Sequence, residues 1–191
     1  DNINIEKIGN TLIGSNKDGI NGTFFNTKNP SGYNTTYGIA INKGNPIDIN
    51  SYVSNYAMFK RGTILFTDGI LKCERIYNIK DEVKTKIDWA ISGIMLYPSY
   101  NPVLEGFTKP YDDVLRATSH TAIGFKGNKV YLIASDKSLS MKAFRDGLLN
   151  SRIAFDGLIA LDGGGSTQLN YGGAGIKSNR KVGSIISIKE K

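Results

Sequence analysis

The chain has 191 residues, of which 40% are hydrophobic and 21% charged, with a formal net charge of +7 and a single cysteine. That composition fits one soluble globular domain and excludes a disordered or fibrous chain, and no apolar run approaches the roughly 20 residues of a membrane-spanning helix. One cysteine excludes an intrachain disulfide and a multi-cysteine zinc site, and lysines and arginines scattered without a basic block point to a solvated surface, so no nucleic-acid partner is expected.

The N-terminal "DNINIEKIGN" has neither the apolar core of a signal peptide nor an initiator Met. The compartment is left open between cytoplasmic and, for a processed form, exported or phage-borne. "YGIAINKGNPIDI" predicts two short strands around an Asn-Lys-Gly-Asn turn. Residues 51–60, "SYVSNYAMFK", predict a short helix. "GTILFTDGILKCERIY" predicts a hairpin in which Asp68-Gly69 supplies the positive torsions of a tight turn; within it, Cys73 reads as a packed, inert thiol. Residues 97–116 hold three prolines and predict a long excursion of the kind that walls or covers a site. "TAIGFKGNKVYLIASD" predicts a second hairpin turning at Lys126-Gly127-Asn128. "SLSMKAFRDGLLNS" predicts an amphipathic helix capped by Ser138 or Ser140, with Met141, Phe144, Leu148 and Leu149 on one face. "KVGSIISIKE" predicts a last strand. The fold class is α+β: a single domain over 1–191, mostly antiparallel or mixed β-sheet with few flanking helices.

The stretch carrying most chemistry is "LDGGGSTQL", Leu161 to Leu169. A strand, "GLIAL", runs into Asp162 and three glycines. Gly163, Gly164 and Gly165 lack Cβ atoms, so successive N–H groups can converge on an anion, and Ser166 and Thr167 add hydroxyls. A phosphate is the natural occupant. The stretch lacks the Gly-Lys-Ser/Thr ending of a Walker loop, and no βαβ unit follows for a dinucleotide fingerprint.

With "INGTFFN" (Ile20–Asn26), "SHTAIG" (Ser119–Gly124) and "NRKVGSIISI" (from Asn179) in the same order along the chain, "LDGGGSTQL" resembles the signature of the phosphodiester glycosidase family over about residues 18–188. The resemblance implies a hydrolase that removes a sugar of the N-acetylglucosamine type from a glycosyl-1-phosphodiester. His120 stands where the family usually has Arg, Asn26 where it often has Asp, and Lys181 where it often has Pro. The Asn-, Ile- and Lys-rich composition suggests an AT-rich bacterial or phage genome, and with it cell-wall or capsule phosphoglycans as substrates.

Splitting a glycosyl–phosphate bond calls for a carboxylate at the anomeric carbon, as nucleophile or as base toward water. Asp162 is the first candidate; its bland alternative is to cap the glycine turn. His120, the only histidine, either protonates a leaving oxygen, clamps a phosphate, or is structural. Asp136, ending "YLIASD", is a partner acid for Asp162 or a helix cap. Arg180 offers a bidentate fork for phosphate. The Asn21 amide reaches either a sugar hydroxyl or the glycine loop. Of Phe24 and Phe25, which point to opposite sides of one strand, one packs in the core and the other either lines a pocket or packs as well. No metal and no organic cofactor are expected. The competing reading is a non-catalytic glycan- or phosphate-binding module on the same scaffold, perhaps in a phage particle.

Overall fold

The structure, a computed structural model, describes residues 2–27, 35–54 and 58–189. In chain order the strands are β1 (Ile3–Asn10), β2 (Gly19–Asn21), β3 (Ala40–Asn42), β4 (Asn45–Pro46), β5 (Arg61–Thr67), β6 (Ile70–Ile76), β7 (Ile87–Tyr97), β8 (Thr118–Lys126), β9 (Lys129–Leu139), β10 (Gly157–Ala160), β11 (Leu169–Tyr171), β12 (Ala174–Ile176) and β13 (Val182–Ile188). Helix α1 (Ile79–Glu82) is one turn, and α2 spans Met141–Leu149. The class is α+β, mainly β.

Two sheets form. The smaller has the order β1-β13-β2-β11-β12; the larger runs β4-β3-β7-β10-β8-β9, with β5 on the other edge of β7 and β6 beyond it. Every pairing among the described residues is antiparallel. Alternation along β10 organises the layers. Ile159 joins Leu161, Ile64, Ile123 and Ile186 in a cluster drawn from both sheets. Leu158 and Ala160 face the opposite way and pack with Ile94, Leu96, Phe107 and Phe144 beneath α2 and the excursion. Side chains two apart share a face, so β10 is covered on both.

The turn chemistry read from the sequence holds. Asp68 and Gly69 take φ of +50° and +78° between β5 and β6, and Lys43 and Gly44 take +50° and +78° between β3 and β4, the pair of positive torsions that matches strand twist. Helix α2 begins at Ser140, whose hydroxyl accepts from the Ala143 N–H at 3.2 Å; Ser138 lies inside β9. The helix expected over 51–60 is not present in its described part. Residues 51–54 are turn and bridge, with Val53 paired to Asn78, and Met58 has φ +62°. Residues 55–57 lie outside the described residues.

The excursion is fastened down. Glu105 is fully buried, and its carboxylate accepts from the N–H groups of Gly62 and Met95, each at 3.0 Å, and pairs with Arg75 Nε at 2.9 Å. Desolvation raises the Glu105 pKa against these three partners. Arg61 adds bonds to the carbonyls of Glu105 and Tyr37. A wall of the outer face is thereby bolted to β5, β6 and β7.

Candidate active site

Beyond β10 the chain must turn sharply while leaving Asp162 at the strand end, and each glycine meets a different constraint. A Cβ on Gly163 would stand 2.9 Å from the Ser119 carbonyl oxygen, so the loop packs there backbone to backbone. Gly164 opens a 3-10 turn (Gly164–Ser166) with φ +59°, a left-handed torsion that glycine adopts without strain. A Cβ on Gly165 would lie 2.7 Å from Arg180 Cζ, because the guanidinium rests against the bare backbone.

The loop is pinned from three sides. Asn21 is fully buried; its Nδ2 donates to the Asp162 carbonyl at 2.7 Å, while its Oδ1 accepts from Thr121 Oγ1 at 2.7 Å and the Gln168 N–H at 3.0 Å. Asn21 therefore holds the glycine loop, with its amide committed to protein partners. Ser119 Oγ donates to the Gly164 carbonyl at 2.8 Å and Ser178 Oγ to that of Gly165 at 2.5 Å. Gln168, quoted in the motif but assigned no role from sequence, accepts from the Leu12 N–H at 2.8 Å and donates to the Arg180 carbonyl at 2.9 Å. It fixes the arginine relative to the loop.

Asp162 keeps part of its surface open, yet the packing around its carboxyl is dense enough that desolvation dominates and pushes its pKa from 3.8 up to about 6. The Ser166 hydroxyl, the Arg180 guanidinium and the Gly163 N–H each oppose that rise, and Asp113 adds to it. Ser166 and Thr167 are buried, and neither hydroxyl has a partner in hydrogen-bond geometry. Ser166 thus lies near enough to favour the Asp162 carboxylate without forming a directed bond. Neither hydroxyl presents itself to solvent, as the phosphate-donor expectation required. Arg180 is exposed and within electrostatic reach of Asp162.

His120 is 1% exposed. Its Nε2 bonds the Leu139 carbonyl at 2.6 Å, its ring stacks on Phe144 with centroids 4.9 Å apart, and Nδ1 faces the Gly163 backbone. Burial lowers its pKa, so it stays neutral beneath the loop. Asp136 is exposed and lies within β9 instead of ending a strand, and Ser140, not Asp136, caps α2. The acid whose charge acts on Asp162 is Asp113, exposed on the 3-10 turn Asp112–Leu115 of the excursion. Its only sequence signal was its place in a Pro-rich excursion. Phe25 packs with Leu12, Val182 and Ile185, whereas Phe24 lies on the outer face, 5.7 Å from Phe107. Burial pushes the Cys73 thiol up to about 12, consistent with an inert packed group. Among the described residues, no three His, Cys, Asp or Glu side chains could hold a metal ion, and no helix is long and apolar enough to cross a membrane. A cavity of about 810 Å³ opens between the sheets near Trp89 and Leu132, and no candidate residue lines it.

The family profile described as phosphodiester glycosidase matches residues 17–189. No curated protein sequence matches the chain significantly. Among solved structures, the chain is similar to the catalytic domain of zebrafish N-acetylglucosamine-1-phosphodiester alpha-N-acetylglucosaminidase, auto-inhibited by its pro-peptide. The TM-score is 0.72 at 15% identity, covering 100% of this chain and 73% of that one. It is also similar to a hypothetical protein from Synechocystis, with a TM-score of 0.66 at 12% identity, covering 97% of this chain and 56% of the other. At these identities the likeness concerns the fold.

Proposed function

The chain belongs to the phosphodiester glycosidase family, and from that premise we propose that it hydrolyses a glycosyl-1-phosphodiester at Asp162, releasing a sugar of the N-acetylglucosamine type. The observation that carries the reading is the Asp162 carboxyl, held at a strand end with its pKa raised to about 6 and flanked by the Arg180 guanidinium. At neutral pH this carboxyl is mostly ionised. It attacks the anomeric carbon directly, forming a glycosyl ester that water then hydrolyses to free the sugar and the carboxylate, or it takes the proton of a water that attacks instead. The bond from the anomeric carbon to the bridging oxygen breaks with its electron pair leaving on phosphate. Phosphate is a good leaving group, so acid assistance is light, and Arg180 meets the charge that develops there. Asp113, exposed on the excursion, is a second carboxylate within electrostatic reach of Asp162. Neutral, buried His120 supports the loop from below. A phosphoglycan of a cell wall or capsule has the required linkage.

The test is sugar release from a simple α-N-acetylglucosamine-1-phosphodiester and from UDP-N-acetylglucosamine, wild type beside Asp162→Asn. Release by the wild type, rising with pH through about 6 and absent in the variant, is the expected result. Equal release by both proteins would remove Asp162 from the reaction. Binding without release by the wild type would favour a glycan- or phosphate-binding module.

A further inference from the structure

Arg61 is a cation with no acid of its own. Its side chain is largely withdrawn from water, and desolvation lowers its pKa to about 10. It makes no ion pair among the described residues; its hydrogen bonds go to the neutral carbonyls of Glu105 and Tyr37, at 3.2 and 3.3 Å. The guanidinium lies 4.3 Å from the Phe107 ring centroid and 5.7 Å from that of Phe24. The neighbouring carboxylate, Glu105, is already engaged by Arg75 and by two backbone N–H groups. Two guanidinium groups therefore share one carboxylate, leaving a positive charge uncompensated in a partly dry, aromatic-walled corner. Such a charge is costly unless an anion meets it.

The Gly22–Phe24 segment relates this corner to Asp162. The Asp162 N–H donates to the Gly22 carbonyl at 3.3 Å, and two residues on, the Phe24 ring lies 5.7 Å from the Arg61 guanidinium. Phe24, Phe107 and Ala160 share the outer cluster, and Asp162 follows Ala160 by two residues. Arg180 rests against the glycine turn and Arg61 against Phe24, so two cations reach the neighbourhood of Asp162 from different segments.

We propose that Arg61 is a specificity residue that binds a second anionic group, a phosphate or carboxylate, carried on the sugar away from its anomeric phosphate. The substrate class is then an acidic or doubly phosphorylated sugar phosphodiester. This rests on Asp162 being the reacting centre.

The experiment is calorimetric binding of glucose 1-phosphate and glucose 1,6-bisphosphate to the wild type, Arg61→Lys and Arg61→Met, with circular dichroism confirming that each is folded. The wild type should bind the bisphosphate at least tenfold more tightly. Arg61→Met should abolish that preference while leaving glucose 1-phosphate affinity within about twofold, and Arg61→Lys should restore part of it. Equal affinities in the wild type, or a preference that survives Arg61→Met, would overturn the proposal. Should Arg61→Met fail to fold, loss of the preference in Arg61→Gln with retention in Arg61→Lys serves the same purpose, and its persistence in both variants refutes the role. Binding is read without turnover, so failure of the hydrolase reading would appear separately, as absent sugar release alongside an intact bisphosphate preference.

Discussion

Replacing Asp162 by Asn should stabilise the protein at neutral pH while removing its activity. In the unfolded chain the carboxyl ionises near 3.8, and in the folded protein near 6. Below pH 3.8 it is protonated in both states and contributes nothing to the difference. As pH rises the unfolded chain releases its proton first, so stability falls through the window from 3.8 to about 6 and then levels off. A gap of about two units corresponds to about 3 kcal/mol at about 1.4 kcal/mol per unit, and partial exposure of the carboxyl trims it. That gap already contains the attraction of Arg180, so discounting for exposure leaves a net gain of about 1–2 kcal/mol above pH 6.5, or about 2–8 °C in Tm for a domain of this size. Urea and thermal denaturation of both proteins at pH 3.5, 5 and 7.5 reads it directly. The reasoning fails if Asp162→Asn is no more stable than wild type at pH 7.5, or if its advantage is as large at pH 3.5.

The other predictions concern the loop and its fastenings. Gly165→Ala puts a methyl 2.7 Å from Arg180 Cζ on an exposed turn; displacing the guanidinium from the charge that develops on the leaving phosphate should lower kcat and kcat/KM roughly tenfold with KM less affected, the loss of about one charge-assisted bond, as steady-state kinetics on the phosphodiester will show. Asn21→Ala strips three strong bonds from a fully buried amide, and should cost about 2–4 kcal/mol in urea denaturation. Glu105→Ala orphans two buried N–H groups and Arg75; a loss of about 3–5 kcal/mol is expected, together with new proteolytic cleavage between residues 98 and 117.

What the sequence made legible was local. Asp68-Gly69, Lys43-Gly44 and the Ser140 cap announce themselves because their backbone torsions or first-turn N–H groups demand particular residues. The family signature rests on the same principle, since Gly163 to Gly165 each answer a steric requirement. Strand β7 gave no sign, because "IDWAISGIMLY" is covered on both faces and so has no alternation to reveal it. The alternation of Ile3 and Ile5 in β1 was a usable signal. His120, Asp136 and Asp113 were illegible for another reason. Whether an acid approaches Asp162 depends on which loop folds over the sheet, and no spacing in the chain encodes that. The buried His120 bears on the departure from the family's arginine: an imidazole stacked on Phe144 fills space there while carrying no charge.

Asn21 belongs to the smaller sheet, while Thr121 and the Asp162 carbonyl belong to the larger sheet and its exit loop. One amide thus spans the seam at which the two sheets meet, and the Asp162 carboxyl hangs from that seam. Separating the sheets and dismantling the site are then a single event. On heating, catalysis should survive until the whole molecule melts and vanish with it, without the earlier, separate inactivation that a site mounted on a free loop would undergo.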